Sequence, residues 1–418
     1  MAHLYDIPMV FILVGLALYA VLAGADFGAG LWQLVAGVGE TDEDAQRIRE
    51  HAHHSMAPVW EANHVWLIFV LTLMWTAYPV ALGSIASTLG VPLFVAGLGI
   101  IFRGAAYALR AGTASRRELR VIDVAFSISS LIAPFALGAI AGAIAARRVP
   151  VGNARGSLLG SWTGPTPLLA GVLFVVTAAY LAAVYMAADG ARHGDTWLEN
   201  AFRRRALGAG LVAGAISFGG LFVLHSDAHP LYHGLIEGDG LSAVIISALA
   251  GGATLALVWS RQFLLARFSA ALAVAAMIAG WALAQQPLLL PHLTIRQAAA
   301  GHDTLVAVVV AVLAGAVILF PSLALLFRLT LGGSLDDAHA DVASAEPVPS
   351  ALVEGAGAGA AGRVAIASLI GAIGFLTLAD AAWAHAIGIA CLVAFALAGF
   401  AALAPWQTAS APDPAPEP

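Results

Sequence analysis

The sequence predicts an all-α polytopic membrane protein, and three observations carry that prediction. Of the 418 residues, 60% are hydrophobic and only 11% charged, against about a quarter charged in a soluble domain. Mean hydropathy is +0.88. The apolar residues fall in blocks of roughly 20, the length that crosses a hydrocarbon core of about 30 Å as a helix. A barrel would instead alternate apolar and polar residues with a period of two.

Taken in order, the blocks predict spans near 7–36, 58–80, 82–107, 120–145, 166–188, 206–224, 240–265, 268–285 and 302–330. Residues 1–331 thus read as one transmembrane domain of about nine helices. A polar stretch rich in Ala, Gly and Pro follows at 332–362 and reads as a flexible linker. Two more apolar runs within 363–404 read as an extra C-terminal helix pair, and the Pro-rich acidic end, 405–418, as a disordered tail. Met1–Asp6 has no basic segment of the kind that opens a secretory leader, so the first apolar run is read as a retained span.

All 19 basic residues are arginine, which excludes a lysine Schiff base. The one cysteine, Cys391, excludes an internal disulfide and a cysteine-built metal centre. A net charge of −6 gives no reason to expect a nucleic-acid partner. The arginines are unevenly placed between spans. The odd-numbered connections carry 15 of them and the even-numbered ones Arg147, Arg148, Arg155 and Arg296. By the positive-inside rule this puts the N-terminus outside and the odd connections in the cytoplasm.

An ionisable residue inside a span costs roughly 2.5–3.5 kcal/mol to insert and therefore marks a candidate site. Asp26 lies within Gly24-Ala25-Asp26-Phe27-Gly28-Ala29-Gly30, roughly 28 Å along the first span at 1.5 Å per residue, toward the cytoplasmic end. The glycines would let a neighbouring helix come close. Asp26 suits a proton relay or gate; the alternative is an interfacial aspartate that snorkels or caps a loosened helix end.

The second candidate is Pro58-Val59-Trp60-Glu61-Ala62-Asn63-His64-Val65-Trp66. Pro58 suits a first helical turn, and Glu61 then lies where the positive helix end favours a carboxylate. Trp60 and His64 share a face at i, i+4. Asp26, Glu61 and His64 together suggest the mouth of a proton path. The alternative is a helix-start anion between interfacial tryptophans.

Arg103 needs a counter-charge or backbone carbonyls inside its span, and Asp123, at the start of the next, is the candidate partner. His51, His53 and His54 read as solvated side chains of a polar loop. His225, Asp227, His229 and His233, with Glu237 and Asp239, have a spacing that a metal would tolerate, but they too read as a solvated loop. Asp380, Trp383 and His385 read as interfacial. No metal ligands are assigned. Axial haem ligation needs a His, Met, Cys or Tyr within a span, and none is assigned here either, His64 being the nearest approach.

The Gly24–Gly30 cluster, followed by Pro58-Val59-Trp60-Glu61-Ala62-Asn63-His64-Val65-Trp66-Leu67, resembles subunit II of cytochrome bd ubiquinol oxidases. Supporting matches follow in order: Phe102-Arg103, Asp123 with Phe126, Pro134, Gly138 and Gly142, then Pro167 with Gly171. The resemblance is motif-based over about 5–190 and a matter of hydropathy beyond. It implies two four-helix bundles and a peripheral helix, paired with a related subunit I in the bacterial cytoplasmic membrane. In that family subunit I carries haem b and haem d, quinol is oxidised and oxygen is reduced to water. Subunit II supports assembly and the cytoplasmic proton path, and some members hold a structural quinone. On that resemblance Asp26 and Glu61 match the acidic positions of the path, and Trp60, Asn63, His64 and Trp66 the motif around it.

Two departures stand out: glutamate at 61 where aspartate is common, and His64 where glutamine is frequent. The segment 332–418 runs past the usual end, either as an added helix pair or in place of a small accessory subunit. Two other classes of function fit the composition. A proton-coupled secondary transporter would show inverted repeats around a midplane site, and a membrane assembly factor would carry no redox partner.

Overall fold

The computed structural model describes residues 3–36, 41–56, 60–110, 116–331, 360–377 and 382–403. It divides into two compact units, Met1–Ala316 and Val317–Pro418. After a 3-10 turn at Leu4–Asp6, the first unit runs through α1 (Ile7–Val35), α2 (Asp42–Met56), α3 (Trp60–Ala77), α4 (Pro79–Thr88), α5 (Gly90–Arg110) and α6 (Arg116–Ala145). It continues with α7 (Pro165–Arg192), α8 (Thr196–Asp227), α9 (His229–Ile236), α10 (Leu241–Trp259) and α11 (Phe263–Gln285). A small antiparallel hairpin, β1 (Leu288–Leu290) and β2 (Leu293–Thr294), then leads through α12 (Ile295–Ala298) into α13 (His302–Leu331), whose residues from Val317 on fall in the second unit. Among the described residues eight helices are long and apolar enough to cross a membrane, or nine if the bent pair α3–α4 is one span. The protein is an all-α integral membrane protein.

Three features depart from the sequence-based expectation. The span expected at 58–80 ends at Ala77, where the chain turns by 119° into α4. Pro79 has no amide to donate to the previous turn and disfavours helical geometry at the residue before it. Tyr78 accordingly leaves the helix at φ −137°, ψ 57°, and its hydroxyl donates to the Tyr5 carbonyl at 2.6 Å. The run expected at 82–107 is therefore a short α4 and a separate spanning α5.

The connection expected as a polar loop before 58 contains α2. Its Ala45, Ile48 and Ala52 are buried, and at spacings of three and four they form one apolar helical face. The connection near 225–239 also contains a helix, α9, and so is not a simple loop.

α7 is the hub of the first unit. Its Thr177–Val184 stretch is buried throughout, and the helix packs against α1, α6, α8 and α11. Alanine on most of its faces makes this feasible, because small side chains let several helix backbones approach one another. α1 also packs on α3 and α6, α5 on α6, α8 on α10, and α10 on α11.

In the second unit α14 (Ala360–Thr377) and α15 (Ala382–Leu403) pack on each other. Their seam is built from small residues. Ala365, Ala372 and Ala384 are buried, and a Cβ on Gly371 would lie 3.3 Å from the Cys391 sulfur. The expected linker at 332–362 lies outside the described residues up to 359, as do Asp380 and the 405–418 tail.

Candidate functional site

Glycine spacing in α1 creates the site. A Cβ on Gly28 would sit 1.9 Å from the Ala178 carbonyl oxygen, so only glycine lets α7 come this close. The approach is fixed by Trp32, whose indole Nε1 donates to the Ala179 carbonyl at 2.8 Å. At Gly30 a Cβ would fall 2.2 Å from the Ser130 hydroxyl and 3.0 Å from an Arg103 nitrogen. The missing side chain is thus the space into which Arg103 and Ser130 reach.

There Arg103 forms a fully buried ion pair, both side chains being 1% exposed. Its Nη2 donates to Asp26 Oδ1 at 2.6 Å and to the Asp26 backbone carbonyl at 2.8 Å. Its Nη1 donates to the Ser130 hydroxyl, which in turn donates to the Phe126 carbonyl at 2.6 Å. The guanidinium lies 4.2 Å from the Phe126 ring centroid and 5.3 Å from that of Phe27, where the aromatic faces favour a cation. A charge this deep persists only if it is paired and hydrogen-bonded, and these contacts satisfy that requirement. The second carboxylate oxygen, Asp26 Oδ2, is buried and accepts no hydrogen bond among the described residues.

This removes one alternative and corrects one expectation. Asp26 neither snorkels nor caps, because it lies within α1 and is only 3% exposed. Asp123 is not the partner of Arg103. It pairs with Arg110 instead, because Asp26 is presented to Arg103 directly through the glycine gap.

The two ion pairs form layers. In α1, Asp26 and Gln33 are two helical turns apart, as are Arg103 and Arg110 in α5 and Ser130 and Asp123 in α6. The inner layer is Asp26, Arg103 and Ser130. The outer layer, Gln33, Arg110 and Asp123, lines a small pocket with Tyr107 and Phe126. Phe126 touches both, stacking on Arg103 and walling the pocket. Tyr19, two turns before Asp26, extends the polar stripe along α1; its buried hydroxyl has no partner among the described residues.

α3 runs antiparallel to α1 beside this stripe. The Asn63 amide donates to the Leu22 carbonyl at 3.3 Å, and a Cβ on Gly15 would meet Val70 at 2.9 Å. This register sets the His64 ring edge-on to Tyr19 and Phe27, with centroids 6.0 and 6.1 Å away. Asn63 is buried. Trp66 packs edge-on to Phe69 at 6.2 Å and against the buried cluster that includes Tyr19, Ala23 and Phe27. Trp60 and Glu61 lie in the first turn of α3, and their side chains are outside the described residues.

Sequence reasoning missed Ser130, Gln33 and Arg110. The signal was present as a repeat of polar residues seven apart in three spans, but it has meaning only once those spans are known to be neighbours. Of the three histidines before α3, His51 lies on α2, where its Nε2 is 3.2 Å from the Met186 carbonyl and its ring packs on Phe202. It is therefore a docking residue of that helix and not a loop side chain. The side chains of His53 and His54 are outside the described residues, as is that of His385.

A family model for cytochrome bd terminal oxidase subunit II matches residues 4–330. The chain is 28% identical over 140 residues to cytochrome bd ubiquinol oxidase subunit 2 of Bacillus subtilis, a match covering 34% of this chain and 40% of that protein. It is also 28% identical over 129 residues to cytochrome bd-I ubiquinol oxidase subunit 2 of Escherichia coli, covering 30% and 32% of the two chains. The matched region thus spans about two fifths or less of these relatives. In fold, a chain of the bd oxidase from Geobacillus thermodenitrificans superposes with a TM-score of 0.62 at 24% identity, over 79% of this chain and 99% of that one. With a family match that reaches from the start of α1 to the end of α13, the chain belongs to the cytochrome bd terminal oxidase subunit II family.

Proposed function

We propose that this chain is the haem-poor subunit of a quinol-oxidising, oxygen-reducing terminal oxidase, and that its polar layers form a proton route from the cytoplasmic side. The partner is a haem-bearing subunit I, and the complex lies in the bacterial cytoplasmic membrane with the N-terminus of this chain outside. Haem b and haem d belong to the partner in this reading. The helix packing is compatible with α1, α3, α5 and α6 as one bundle, α7, α8, α10 and α11 as the other, and α13 as the peripheral helix. The domain of about 1–331 is the oxidase subunit proper, and α14–α15 is an appended hydrophobic pair that takes the place of an accessory subunit. Lipid and a structural quinone are further ligands that the family suggests.

The observation that carries the proton route is the asymmetric state of the Asp26 carboxylate. Oδ1 is held by Arg103, while Oδ2 is buried and unengaged among the described residues. A proton arriving at Oδ2 need not break the Oδ1 contact, so the carboxylate can pass a charge without dismantling the layer. Glu61 and His64, on the helix alongside, extend the route, with Asp123 and Arg110 lining its mouth. Asn63 and Trp66 hold the helix register that this route requires, and Trp60 belongs to the same motif.

The test uses the purified complex. A reduced-minus-oxidised spectrum of co-purifying haem checks the oxidase reading, and a pure chain with no haem-bearing partner would sink it. Within an intact complex, Glu61→Gln should slow quinol-driven oxygen consumption on the order of tenfold or more with haem content unchanged. Unaltered turnover across a range of pH would remove Glu61 from the route.

A further inference from the structure

The α8–α9 corner carries four ligand-type side chains at intervals of four: His225, His229, His233 and Glu237. α9 is docked by its other face. Ala228 and Leu231 are buried against Ala145, Leu224, Trp281 and Ala284, and a Cβ on Gly234 would lie 2.4 Å from the Ala284 carbonyl oxygen. The helix is thereby held in place while His229 and His233 stand exposed on the opposite side.

Their hydrogen bonds fix the ring chemistry. His229 Nδ1 lies 3.2 Å from the His225 carbonyl oxygen, and His233 Nδ1 lies 2.8 Å from the Glu237 carboxylate. A carbonyl and a carboxylate can only accept, so both Nδ1 atoms carry the hydrogen. In the neutral rings each Nε2 then presents a lone pair. The two Nε2 atoms face each other at 3.1 Å, an arrangement that is repulsive unless something positive lies between them.

We propose that His229 and His233 chelate a divalent transition cation of the zinc, copper or nickel class through their Nε2 atoms. A cation about 2.1 Å from each nitrogen would see them at an angle of about 95°, between octahedral and tetrahedral values. Imidazole pairs select these borderline metals over magnesium or calcium. Glu237 is the outer partner that a metal-bound histidine ordinarily has, accepting from the ring nitrogen that does not bind and fixing the ring orientation. Among the described residues no group of three or more ligands is preassembled, so the remaining positions belong to water and the site is open. His225, its ring 5.2 Å from that of His229, supplies the carbonyl that sets the His229 tautomer.

The probe is zinc chloride added to the purified full-length complex, with magnesium chloride as control. Isothermal titration and metal analysis after gel filtration should show one saturable equivalent of zinc and none of magnesium. His229→Ala and His233→Ala should each weaken zinc binding at least tenfold, and Glu237→Gln by roughly tenfold or more, with haem content and elution unchanged. Zinc binding of equal strength in the His229→Ala/His233→Ala double variant would overturn the assignment. So would an absence of saturable zinc binding in the unaltered complex, which would leave a shared proton as the positive charge between the rings.

Discussion

Arg103 donates to both the side chain and the backbone carbonyl of Asp26, 77 positions away in sequence, with both side chains 1% exposed. The pair joins α1 to α5 through the gap left by Gly30. It ties the acidic motif of the first span to the only arginine buried among the described residues.

Breaking this pair from one side should cost far more than removing it whole. Arg103→Met leaves a buried carboxylate without its cation, a loss of about 3–5 kcal/mol, and Asp26→Leu strands the guanidinium in the same way. The double variant Asp26→Leu/Arg103→Met removes both charges and should recover much of the folded yield. Thermal unfolding in detergent for the four proteins gives the coupling energy. The partly exposed Arg110–Asp123 pair, its side chains 24% and 34% exposed, is the internal control, since Asp123→Asn should cost no more than about 1 kcal/mol. Equal losses at Asp123 and Asp26 would mean that burial is not what makes the inner pair matter.

The α1–α7 approach should tolerate no side chain at position 28. A Cβ there would meet backbone atoms of Ala178 and Ala179 at 1.9–2.8 Å, and backbone cannot rotate away. Gly28→Ala should therefore part the helices, break the Trp32–Ala179 hydrogen bond and destabilise by about 1–3 kcal/mol or more. Gly24→Ala is the contrast, since its Cβ would meet side chains alone, the end of Leu181 at 3.3 Å and the Phe174 ring at 3.9 Å. Melting temperatures should fall for the first and change little for the second; Trp32 fluorescence reports the local separation.

Asp195 should make stability depend on pH at the acidic end. It caps α8, accepting from the amides of Leu198 and Trp197 at 3.0 and 3.1 Å, and it pairs with Arg47 of α2 at 3.0 Å. The Leu198 amide foremost, then Arg47 and the Trp197 amide, hold its carboxyl below the usual carboxylate range, against an opposing effect of partial desolvation. With a folded value below the unfolded one of about 3.9, its contribution is present above about pH 4 and is lost as pH falls through the folded value. Asn caps nearly as well as Asp but has no charge. The melting-temperature gap between wild type and Asp195→Asn should thus stay constant from pH 7 to 5 and narrow progressively below about pH 4, as pH falls toward the folded value. A gap that does not narrow at all as pH falls below 4 would show that the charge contributes nothing. Asp195→Ala, which removes the cap as well, should cost about 1 kcal/mol at neutral pH.

Much of the site could be read before any coordinates, and the part that could not has a common cause. Asp26, Asn63, His64 and Arg103 stand out because each is a polar group in an apolar run, where its insertion cost singles it out. Pairing is another matter. Arg103 has two aspartates within helical reach in principle, and the nearer in sequence, Asp123, is the one it does not contact. Ser130 looked unremarkable because a serine in a membrane helix usually bonds its own backbone, as Ser130 also does to Phe126. The 225–239 connection read as a solvated loop because its histidines are polar and exposed; its helical form depends on α9 having α11 to pack against.

The sequence by itself determined that this chain lives in a membrane, roughly where its helices run, and which few residues must be held by partners. Those conclusions rest on local free energies of transfer, which each segment carries regardless of its neighbours. Only the tertiary structure decided which helices meet. That choice fixes Asp26 as the partner of Arg103, sets the break at Tyr78-Pro79, makes α7 the hub, and turns His229 and His233 toward each other. These follow from close packing, in which a missing side chain at Gly28 or Gly30 matters only because a particular backbone or guanidinium fills the space.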